Sequence, residues 1–244
     1  MKNIKACILA GGRGVRFRPY TEIVPKPMIP IGPEEKPLLE HIILWIKKYG
    51  IEDFILLVGY KWKQIRNYFG FGEKLGVKIN YSIDEEPYGD TGGSLLLAYK
   101  RGLLNKETLL IWYGDIIAPL NIHDMIKAYE KKDPDALVVV TKKYKVPVGV
   151  AELRGDDIID LKEKPWINIH ATIGILMLKT SIFDEIEKVL GTKFDIMGDL
   201  IPWLIREKYR VKAYIYDGLW YDIGSLERYK KFDHNKLLEF FQDY

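Results

Sequence analysis

Cysteine and histidine are scarce in this sequence, and their scarcity excludes several kinds of site. The 244 residues contain one cysteine, Cys7, which falls in a predicted apolar strand and cannot form an internal disulfide. We expect it to pack as a small core residue rather than to take part in catalysis. The four histidines never occur at H-x-x-H or H-x-x-x-H spacing, so no zinc site is expected. A reducing, cytoplasmic environment fits this composition.

The chain also lacks a strong charge of either sign and any long apolar run. Its formal charge is +3, with lysine and arginine scattered along the sequence, so no nucleic-acid partner is expected. No apolar segment approaches the length that crosses a membrane, and the first strand is too short for a signal-peptide core. The composition, 48% hydrophobic and 29% charged, is that of a soluble protein with one sizeable α/β domain.

The first half of the sequence alternates predicted strands and helices. Strands are predicted at Ile4–Leu9, Asp53–Val58, Val77–Tyr81, Thr108–Tyr113 and Ala136–Thr141, and helices at Leu38–Tyr49, Trp62–Phe69, Thr91–Lys100 and Asn121–Lys131. This alternation predicts a mostly parallel central sheet with helices on both faces, and ligand sites beyond the carboxyl ends of its strands. Gly50 is expected to follow the end of the first long helix, and Asp90 or Thr91 to cap the third.

The pattern changes after Val150, where the predicted strands and helices are less regular. Strands are predicted at Asp157–Leu161, Thr172–Leu178 and Val211–Tyr216, and helices at Ser181–Leu190, Asp199–Glu207 and Ser225–Leu238. Because no linker-like segment separates the halves, we expect one domain over residues 1–244. Its parts are residues 1–145, residues 146–224 and a C-terminal helix in residues 225–244.

The most informative segment is the loop after the first strand. It reads Leu9-Ala10-Gly11-Gly12-Arg13-Gly14-Val15-Arg16-Phe17-Arg18-Pro19 and is followed by Pro25-Lys26-Pro27. Glycine lets backbone N–H groups approach an anion closely, and successive N–H groups form a concave cradle for phosphate oxygens. The loop therefore indicates a nucleoside triphosphate site, although a glycine-rich loop of this kind also occurs as an ordinary tight turn. It contains no P-loop motif and lacks the third glycine of the dinucleotide-binding fingerprint.

With these residues the chain resembles the sugar-phosphate nucleotidyltransferases, also called nucleotide-sugar pyrophosphorylases. Their motif is G-G-x-G-x-R-L-x-P-L-T followed by P-K-P, and here Phe17 and Tyr20 replace the two leucines. The resemblance continues, in family order, through Gly59-Tyr60, Asp90-Thr91-Gly92-Gly93, Tyr113-Gly114-Asp115, Glu163-Lys164-Pro165 and Trp220-Tyr221-Asp222-Ile223-Gly224. It thus covers nearly the whole chain, and it is strongest to short members without a C-terminal β-helix.

The resemblance implies an α/β fold made of a single Rossmann-like nucleotidyltransferase domain with a β-rich, sugar-binding subregion. Residues 1–145 would bind the nucleotide and residues 146–224 the sugar phosphate. Mg²⁺, which commonly takes only one or two carboxylates, would be held by Asp115 and Asp222. The structural alternative is that each of these aspartates caps a helix or turn.

The resemblance also assigns roles to individual side chains. Arg16 and Lys26 would stabilise the departing pyrophosphate, and Lys164 would contact both phosphates that are being joined. The nucleotide-binding residues would be Leu9, Ala10, Gly11, Gly12, Arg13, Gly14, Asp84, Glu85, Gly89, Thr91 and Gly92. The sugar-binding residues would be Gly149, Glu163, Lys164, Asn168 and Thr172.

The base preference depends on Asp84 or Glu85, which stand where relatives specific for uracil or thymine often have glutamine. A carboxylate only accepts hydrogen bonds, and guanine offers two adjacent donors, so this position favours GTP. The implied reaction joins an NTP and a sugar 1-phosphate to give a nucleotide sugar and pyrophosphate, with GTP and mannose 1-phosphate as the leading pair. The alternatives are UTP, dTTP or CTP with glucose 1-phosphate or another sugar 1-phosphate.

A catalytically silent subunit that binds nucleotide sugars is the alternative from another class. The presence of Arg16, Lys26, Asp115 and Asp222 argues against it. Three aromatic residues near the C-terminus (Phe240, Phe241 and Tyr244) are candidates for a contact in a homo-oligomer.

Overall fold

The computed structural model describes residues 4–105 and 108–237, which contain short and long strands and helices of both α and 3₁₀ type. The strands are β1 (Ile4–Leu9), β2 (Pro30–Ile31), β3 (Lys36–Pro37), β4 (Asp53–Val58), β5 (Lys78–Ile83), β6 (Thr108–Tyr113), β7 (Ile116–Ile117), β8 (Ala136–Lys145), β9 (Val150–Arg154), β10 (Asp157–Lys162), β11 (Trp166–Lys179), β12 (Val211–Tyr216) and β13 (Tyr221–Asp222). The α-helices are α1 (Leu38–Lys48), α2 (Trp62–Phe69), α3 (Asp90–Lys100), α4 (Ile122–Lys132), α5 (Phe183–Leu190), α6 (Ile201–Arg206) and α7 (Leu226–Lys231). Phe240, Phe241 and Tyr244 lie outside the described residues.

Seven strands form the central sheet, in the order β12-β8-β11-β6-β1-β4-β5. Strand β1 pairs in parallel with β4 and β6, β4 with β5, and β8 with β12. Only β11 among these strands is antiparallel to its neighbours, β6 and β8. The mostly parallel sheet predicted from the sequence is confirmed. Within the described residues, no helix has both the length and the apolar character needed to span a membrane.

The central strands are apolar on both faces because the sheet is covered on both sides. In β1, Ala6 and Ile8 belong to one apolar layer, and Cys7 to the other. The first layer also takes residues from α1 and α4, and the second from α3 and α5. Each fully buried aliphatic side chain contributes about 1.5–3 kcal/mol relative to exposure. These layers fix the positions of the strand ends, and the loops that follow β1 and β6 start from those ends.

Most predicted helix ends lie within two residues of the observed ones, and the larger differences concern the cap of α3 and the end of α7. Gly50 follows α1 with a φ of 76°, as expected for a glycine just past a helix end. The expected side-chain cap of α3 is wrong, because Gly89 occupies the N-cap position and the Thr91 hydroxyl instead donates to Asp195 Oδ2 at 2.7 Å. The predicted C-terminal helix is interrupted: α7 ends at Lys231 with Phe232 extended, residues 236–237 are helical again, and Leu238 lies outside the described residues.

Residues 142–172 form a two-stranded ribbon, here called the β-arm. The ladder between β8 and β11 continues through two backbone hydrogen bonds, from Val146 N–H to Pro165 O (3.1 Å) and from Lys164 N–H to Val148 O (3.2 Å), into the β9–β10 hairpin. None of residues 142–172 is buried. The sequence predicts only part of this ribbon: β9 is not foreseen, and β8 and β11 are both longer than expected.

Candidate active site

A cleft of about 430 Å³ opens at the carboxyl ends of β1, β4 and β6, the edge of the sheet where the sequence places its loop motif. Its lining residues are Leu9, Ala10, Gly11, Gly12, Lys26, Pro27, Leu57, Asp84, Tyr88, Gly89, Asp90, Thr91, Ser94, Tyr113, Asp115 and Asp195. Most of the predicted nucleotide-binding residues are therefore together in one cavity. Arg13, Gly14, Glu85 and Gly92 are outside its lining.

The glycine-rich loop is packed closely against Asp84. A side-chain carbon at Gly11 would lie 2.4 Å from Asp84 Oδ2, and one at Gly59 would lie 2.5 Å from the same oxygen. Any larger residue at Gly11 or Gly59 would displace the carboxylate. The loop is also tied to β4, since Ala10 N–H donates to Leu57 O at 2.8 Å. This packing holds the Asp84 carboxylate beside the loop backbone.

Burial gives Asp84 an unusual electrostatic environment. Desolvation raises the pKa of its carboxyl, and the Ser94 hydroxyl, which donates to Oδ1 at 2.7 Å, partly opposes this rise. Glu85, the alternative candidate for base recognition, is exposed and pairs with Arg101 at 2.9 Å. Of the two, only Asp84 lines the cleft.

Gly92 lies on the side of α3 that packs against the segment before α6. A side-chain carbon there would overlap the Phe194 ring at 2.1 Å, and one at Gly93 would lie 2.2 Å from Thr192 O. These two glycines let α3 approach residues 192–194 closely. That packing is a structural requirement that the motif alone does not reveal.

The two predicted metal ligands are brought side by side by a short antiparallel pair. Strands β7 and β13 place Asp222 opposite Ile116, and Ile223 N–H donates to Asp115 O at 2.8 Å. Lys26 Nζ lies 2.6 Å from Asp115 Oδ2. Asp222 Oδ2 contacts the Arg228 guanidinium, while Asp222 Oδ1 is buried and has no hydrogen-bond partner.

This donor set fits a magnesium ion. The unpartnered Asp222 Oδ1 supplies a free buried acceptor, and Asp115 supplies a second carboxylate beside it. Among the described residues there is no cluster of three or more histidine, cysteine or acidic side chains that could enclose a metal. Two carboxylates suit a cation that takes its other ligands from phosphate and water.

None of the three arginines of the loop (Arg13, Arg16 and Arg18) lines the cleft. A side-chain carbon at Gly224 would lie 3.0 Å from Arg16 Nη2 and 2.4 Å from Asp222 Oδ1, so the Arg16 guanidinium is next to the turn that follows Asp222. The Arg13 guanidinium lies 5.9 Å from the centre of the Tyr60 ring. Gly14 has a φ of 60°, and a side-chain carbon there would lie 3.1 Å from Lys26 Cβ.

The predicted sugar-binding residues lie on the β-arm, outside the cleft lining. A side-chain carbon at Gly149 would lie 3.2 Å from Glu163 Oε2, and Lys164 Nζ lies 3.2 Å from Glu163 Oε1. Asn168 pairs with Lys143 and Thr172 with Val140, both farther along β11 and both exposed. Gly149, Glu163 and Lys164 are therefore brought together, and Asn168 and Thr172 are not part of that group.

Lys164 also lies near α7. The pKa of the Glu227 carboxyl is lowered mainly by its hydrogen bond to Lys231 and the charge of Lys231, and more weakly by the charge of Lys164. Helix α7 carries Arg228, which contacts Asp222. Lys164 is thus within electrostatic range of the helix that carries Arg228.

Sequence reasoning gave no site role to five polar residues of the cleft lining: Tyr88, Asp90, Ser94, Tyr113 and Asp195. Asp195 Oδ1 accepts from Met197 N–H (2.9 Å) and Gly198 N–H (2.7 Å), which are the contacts of a helix cap. An aspartate just before a helical segment is a recognisable cap signal. Burial and the nearby charge of Asp195 raise the pKa of Tyr113 to about 12. Its hydroxyl is therefore neutral across the physiological range.

Comparisons with known proteins agree on one family. The protein-family model described as nucleotidyl transferase matches residues 5–238. The chain is 33% identical over 232 residues to D-glycero-α-D-manno-heptose 1-phosphate guanylyltransferase of Aneurinibacillus thermoaerophilus, covering 93% of this chain and 96% of that protein. It is 30% identical over 245 residues to UTP–glucose-1-phosphate uridylyltransferase of Synechocystis sp., covering 93% of this chain but 61% of that longer protein.

A solved structure of a related protein has the same fold as this chain. The structure of HddC from Yersinia pseudotuberculosis in complex with GMP-PN superimposes with a TM-score of 0.69 and 25% identity, covering 93% of this chain and 96% of that one. The relatives thus share the fold over nearly the whole length described here.

Proposed function

Since the chain belongs to the nucleotidyl transferase family and is a sugar-1-phosphate nucleotidyltransferase, we propose that it transfers a guanylyl group from GTP to a manno-configured sugar 1-phosphate. The products are a GDP-sugar and pyrophosphate. The observation that carries the choice of base is the Asp84 carboxylate, an acceptor in the lining of the cleft. The similarity to a manno-heptose 1-phosphate guanylyltransferase over 96% of that protein supports both the base and the sugar configuration.

Asp84 is the residue we assign to base recognition. Guanine presents two adjacent N–H donors, which a carboxylate can accept together, whereas uracil and thymine require a group that also donates. Asp84 is held against Gly11 and Gly59, so its oxygens cannot turn freely to suit another base. Glu85 pairs with Arg101 at the surface and takes no part in this assignment.

The reaction needs no enzyme nucleophile. An oxygen of the sugar phosphate forms a bond to the α-phosphorus of GTP while the bond from that phosphorus to the β-phosphate oxygen breaks, and pyrophosphate leaves with the electron pair. A phosphate monoester is already an anion at neutral pH, so catalysis consists of positioning and neutralisation of charge. Backbone N–H groups of residues 11–14 hold the phosphates, and Arg16 and Lys26 stabilise the leaving pyrophosphate.

We assign a Mg²⁺ site to Asp115 and Asp222, which would hold the ion and let it supply positive charge for the α-phosphate. Lys26 is well placed for its role because its ammonium already lies beside Asp115. Lys164, where the β9–β10 hairpin begins, contacts the sugar phosphate as a compact positive charge. Glu163, beside Gly149, accepts hydrogen bonds from the sugar hydroxyls.

The test is pyrophosphate release with Mg²⁺, crossing GTP, UTP, dTTP, CTP and ATP with the 1-phosphates of mannose, manno-heptose, glucose and N-acetylglucosamine. We expect GTP with a manno-configured sugar to dominate. Asp84→Asn should lower kcat/KM for GTP by about ten-fold or more, the size of a lost hydrogen bond to a charged group. Glu85→Gln is the matched control and should leave the preference unchanged.

Other outcomes would identify the other candidates. A dominant signal with UTP and glucose 1-phosphate would keep the reaction class and remove Asp84 from guanine recognition; the Synechocystis relative makes this the second candidate. If the chain binds a nucleotide sugar but turns over none of the substrate pairs, it is a catalytically silent subunit.

A further inference from the structure

The two candidate metal ligands are each paired with a cation of the chain itself. Lys26 Nζ lies 2.6 Å from Asp115 Oδ2, and Arg228 Nη1 contacts Asp222 Oδ2. The second oxygen of the Asp222 carboxylate, Oδ1, is buried without a partner. Arg228 therefore holds one of the oxygens to which a divalent cation would bind.

These pairs solve an electrostatic problem of the site without its metal. The pairing of β7 with β13 places Asp115 and Asp222 next to each other, and two neighbouring carboxylates repel when both are ionised. Lys26 and Arg228 cancel this repulsion. A divalent cation adds two further positive charges, so both cations of the chain repel it, and withdrawal of either one relieves that repulsion.

Arg228 is the cation that can withdraw more easily. The Lys26 side chain is 17% exposed and lies in a 3₁₀ turn flanked by Pro25 and Pro27, whereas the Arg228 side chain is 40% exposed. A long, partly exposed side chain can exchange its carboxylate for water at small cost.

The backbone beneath Arg228 is fixed, so only its side chain needs to move. Ser225 caps α7 by accepting from Arg228 N–H at 3.3 Å. The Tyr229 hydroxyl donates to Pro30 O at 2.9 Å, and the Tyr229 ring lies edge-on to Phe17 with 6.0 Å between centres. Helix α7 is thereby held against the loop that contains Arg16.

We propose that Arg228 is a positioning residue that competes with the divalent cation for Asp222. It neutralises the carboxylate while the metal is absent and swings toward solvent when the metal takes its place. This inference rests on the proposed function, because that function assigns Asp222 as a metal ligand. It makes the cation affinity of the site a property of α7 as well as of the two aspartates.

The experiment is a titration of the purified chain with Mn²⁺, without nucleotide, in which the free ion is followed by electron paramagnetic resonance. Arg228→Gln should bind Mn²⁺ about two- to five-fold more tightly than the wild type, the effect of removing one partly exposed ion pair. Arg228→Lys keeps the charge and should stay within about two-fold of the wild type.

Lys230→Gln is the matched control, since it removes the same charge from an exposed position of the same helix. Combining Arg228→Gln with Asp222→Asn should abolish the gain in affinity. The proposal is overturned if Lys230→Gln gains as much affinity as Arg228→Gln, or if Arg228→Gln binds Mn²⁺ more weakly than the wild type. It is also overturned if the gain survives Asp222→Asn, or if neither Arg228→Gln nor the wild type binds Mn²⁺.

The Asp222→Asn variant separates this inference from the assignment beneath it. If Asp222→Asn binds Mn²⁺ as well as the wild type, the metal-ligand assignment of the proposed function is wrong. If it loses binding while Arg228→Gln behaves like Lys230→Gln, the assignment stands and only the competition by Arg228 is wrong.

Discussion

Strand β6 lies in the interior of the sheet with four of its six residues buried, whereas strands β9 and β10 of the β-arm are exposed at every position. Asp115 follows β6, and Gly149 and Glu163 flank the β9–β10 hairpin. A closely packed interior holds a following loop in one arrangement, while a ribbon with few buried contacts opens at low free-energy cost. The predicted nucleotide end of the site is thus pre-formed, and we expect the predicted sugar end to be ordered by the ligand that binds to it.

The hairpin is also strongly one-sided. Because paired residues share a face, Leu153 with Ile158 and Ala151 with Leu161 lie on one side. The other side has the pairs Arg154–Asp157, Glu152–Asp160 and Val150–Lys162. The three large side chains of this apolar face are 62–65% exposed. Strand β6 and the β9–β10 hairpin both contain apolar residues, so they differ in how closely those residues are packed.

The largest effect expected from this contrast is on stability. Leu56→Ala, in the interior of β4, should lower the free energy of unfolding by about 2–5 kcal/mol, because it leaves a cavity between packed layers. Leu153→Ala, on the β-arm, should change it by no more than about 0.5 kcal/mol. Urea unfolding followed by circular dichroism measures both. A Leu153→Ala loss as large as that of Leu56→Ala would show that the arm is packed in solution.

The second effect is on turnover and concerns the pre-formed end. Arg16→Ala should lower kcat by about 10²–10³-fold, the range for loss of one preorganised electrostatic group. Arg18→Ala is the control, because Arg18 is on the same loop and its side chain is 61% exposed beside Glu22. Steady-state kinetics with saturating substrates give the comparison. Equal activity in the two variants would remove Arg16 from the site.

The same contrast explains which features the sequence predicts. Strands β1, β4, β5 and β6, the first part of β8, the loop after β1 and the aspartate after β6 follow from local signals: buried apolar runs, glycines and strand ends. The two-residue strands β2, β3 and β7 are too short to give such a signal. Packing reinforces those signals, so the predicted sheet is confirmed. The β-arm has no such reinforcement: the sequence predicts β10 but not its partner β9, all five residues of which are exposed.

Long-range contacts are the other part that local patterns do not contain. Thr91 and Asp195 are 104 residues apart in the chain, yet their hydrogen bond replaces the cap expected at α3. Arg228 follows Asp222 by six residues, but its contact with that carboxylate depends on how α7 packs against Phe17. Neither contact has a sequence signature, since each is set by the meeting of separate elements.

The third effect concerns the exposed end. Glu163→Gln should raise KM for the sugar 1-phosphate by about ten-fold with little change in kcat, because it weakens hydrogen bonds that help to order the arm around the sugar. Asp160→Asn, an acidic residue elsewhere on the arm, is the control and should behave as the wild type. A fall in kcat without a change in KM would mean that Glu163 acts in the reaction itself and that the arm is already in place.

The smallest effect is a dependence of stability on pH at Asp84. Burial raises the pKa of this carboxyl in the folded chain, so the fold binds its proton more tightly than the unfolded chain does. The ionised carboxylate therefore destabilises the fold above the folded pKa, and the penalty disappears as the pH falls through that pKa. Asp84→Asn should raise Tm at pH 7 and lose this advantage near pH 4, while Glu85→Gln, at an exposed ion pair, should show no such gain.

The test is to measure Tm of the wild type, Asp84→Asn and Glu85→Gln at pH 7 and at pH 4. An Asp84→Asn variant that is less stable than the wild type at pH 7 would show that the hydrogen bond from Ser94 outweighs burial. The ionised Asp84 carboxylate would then stabilise the pre-formed end of the site instead of destabilising it.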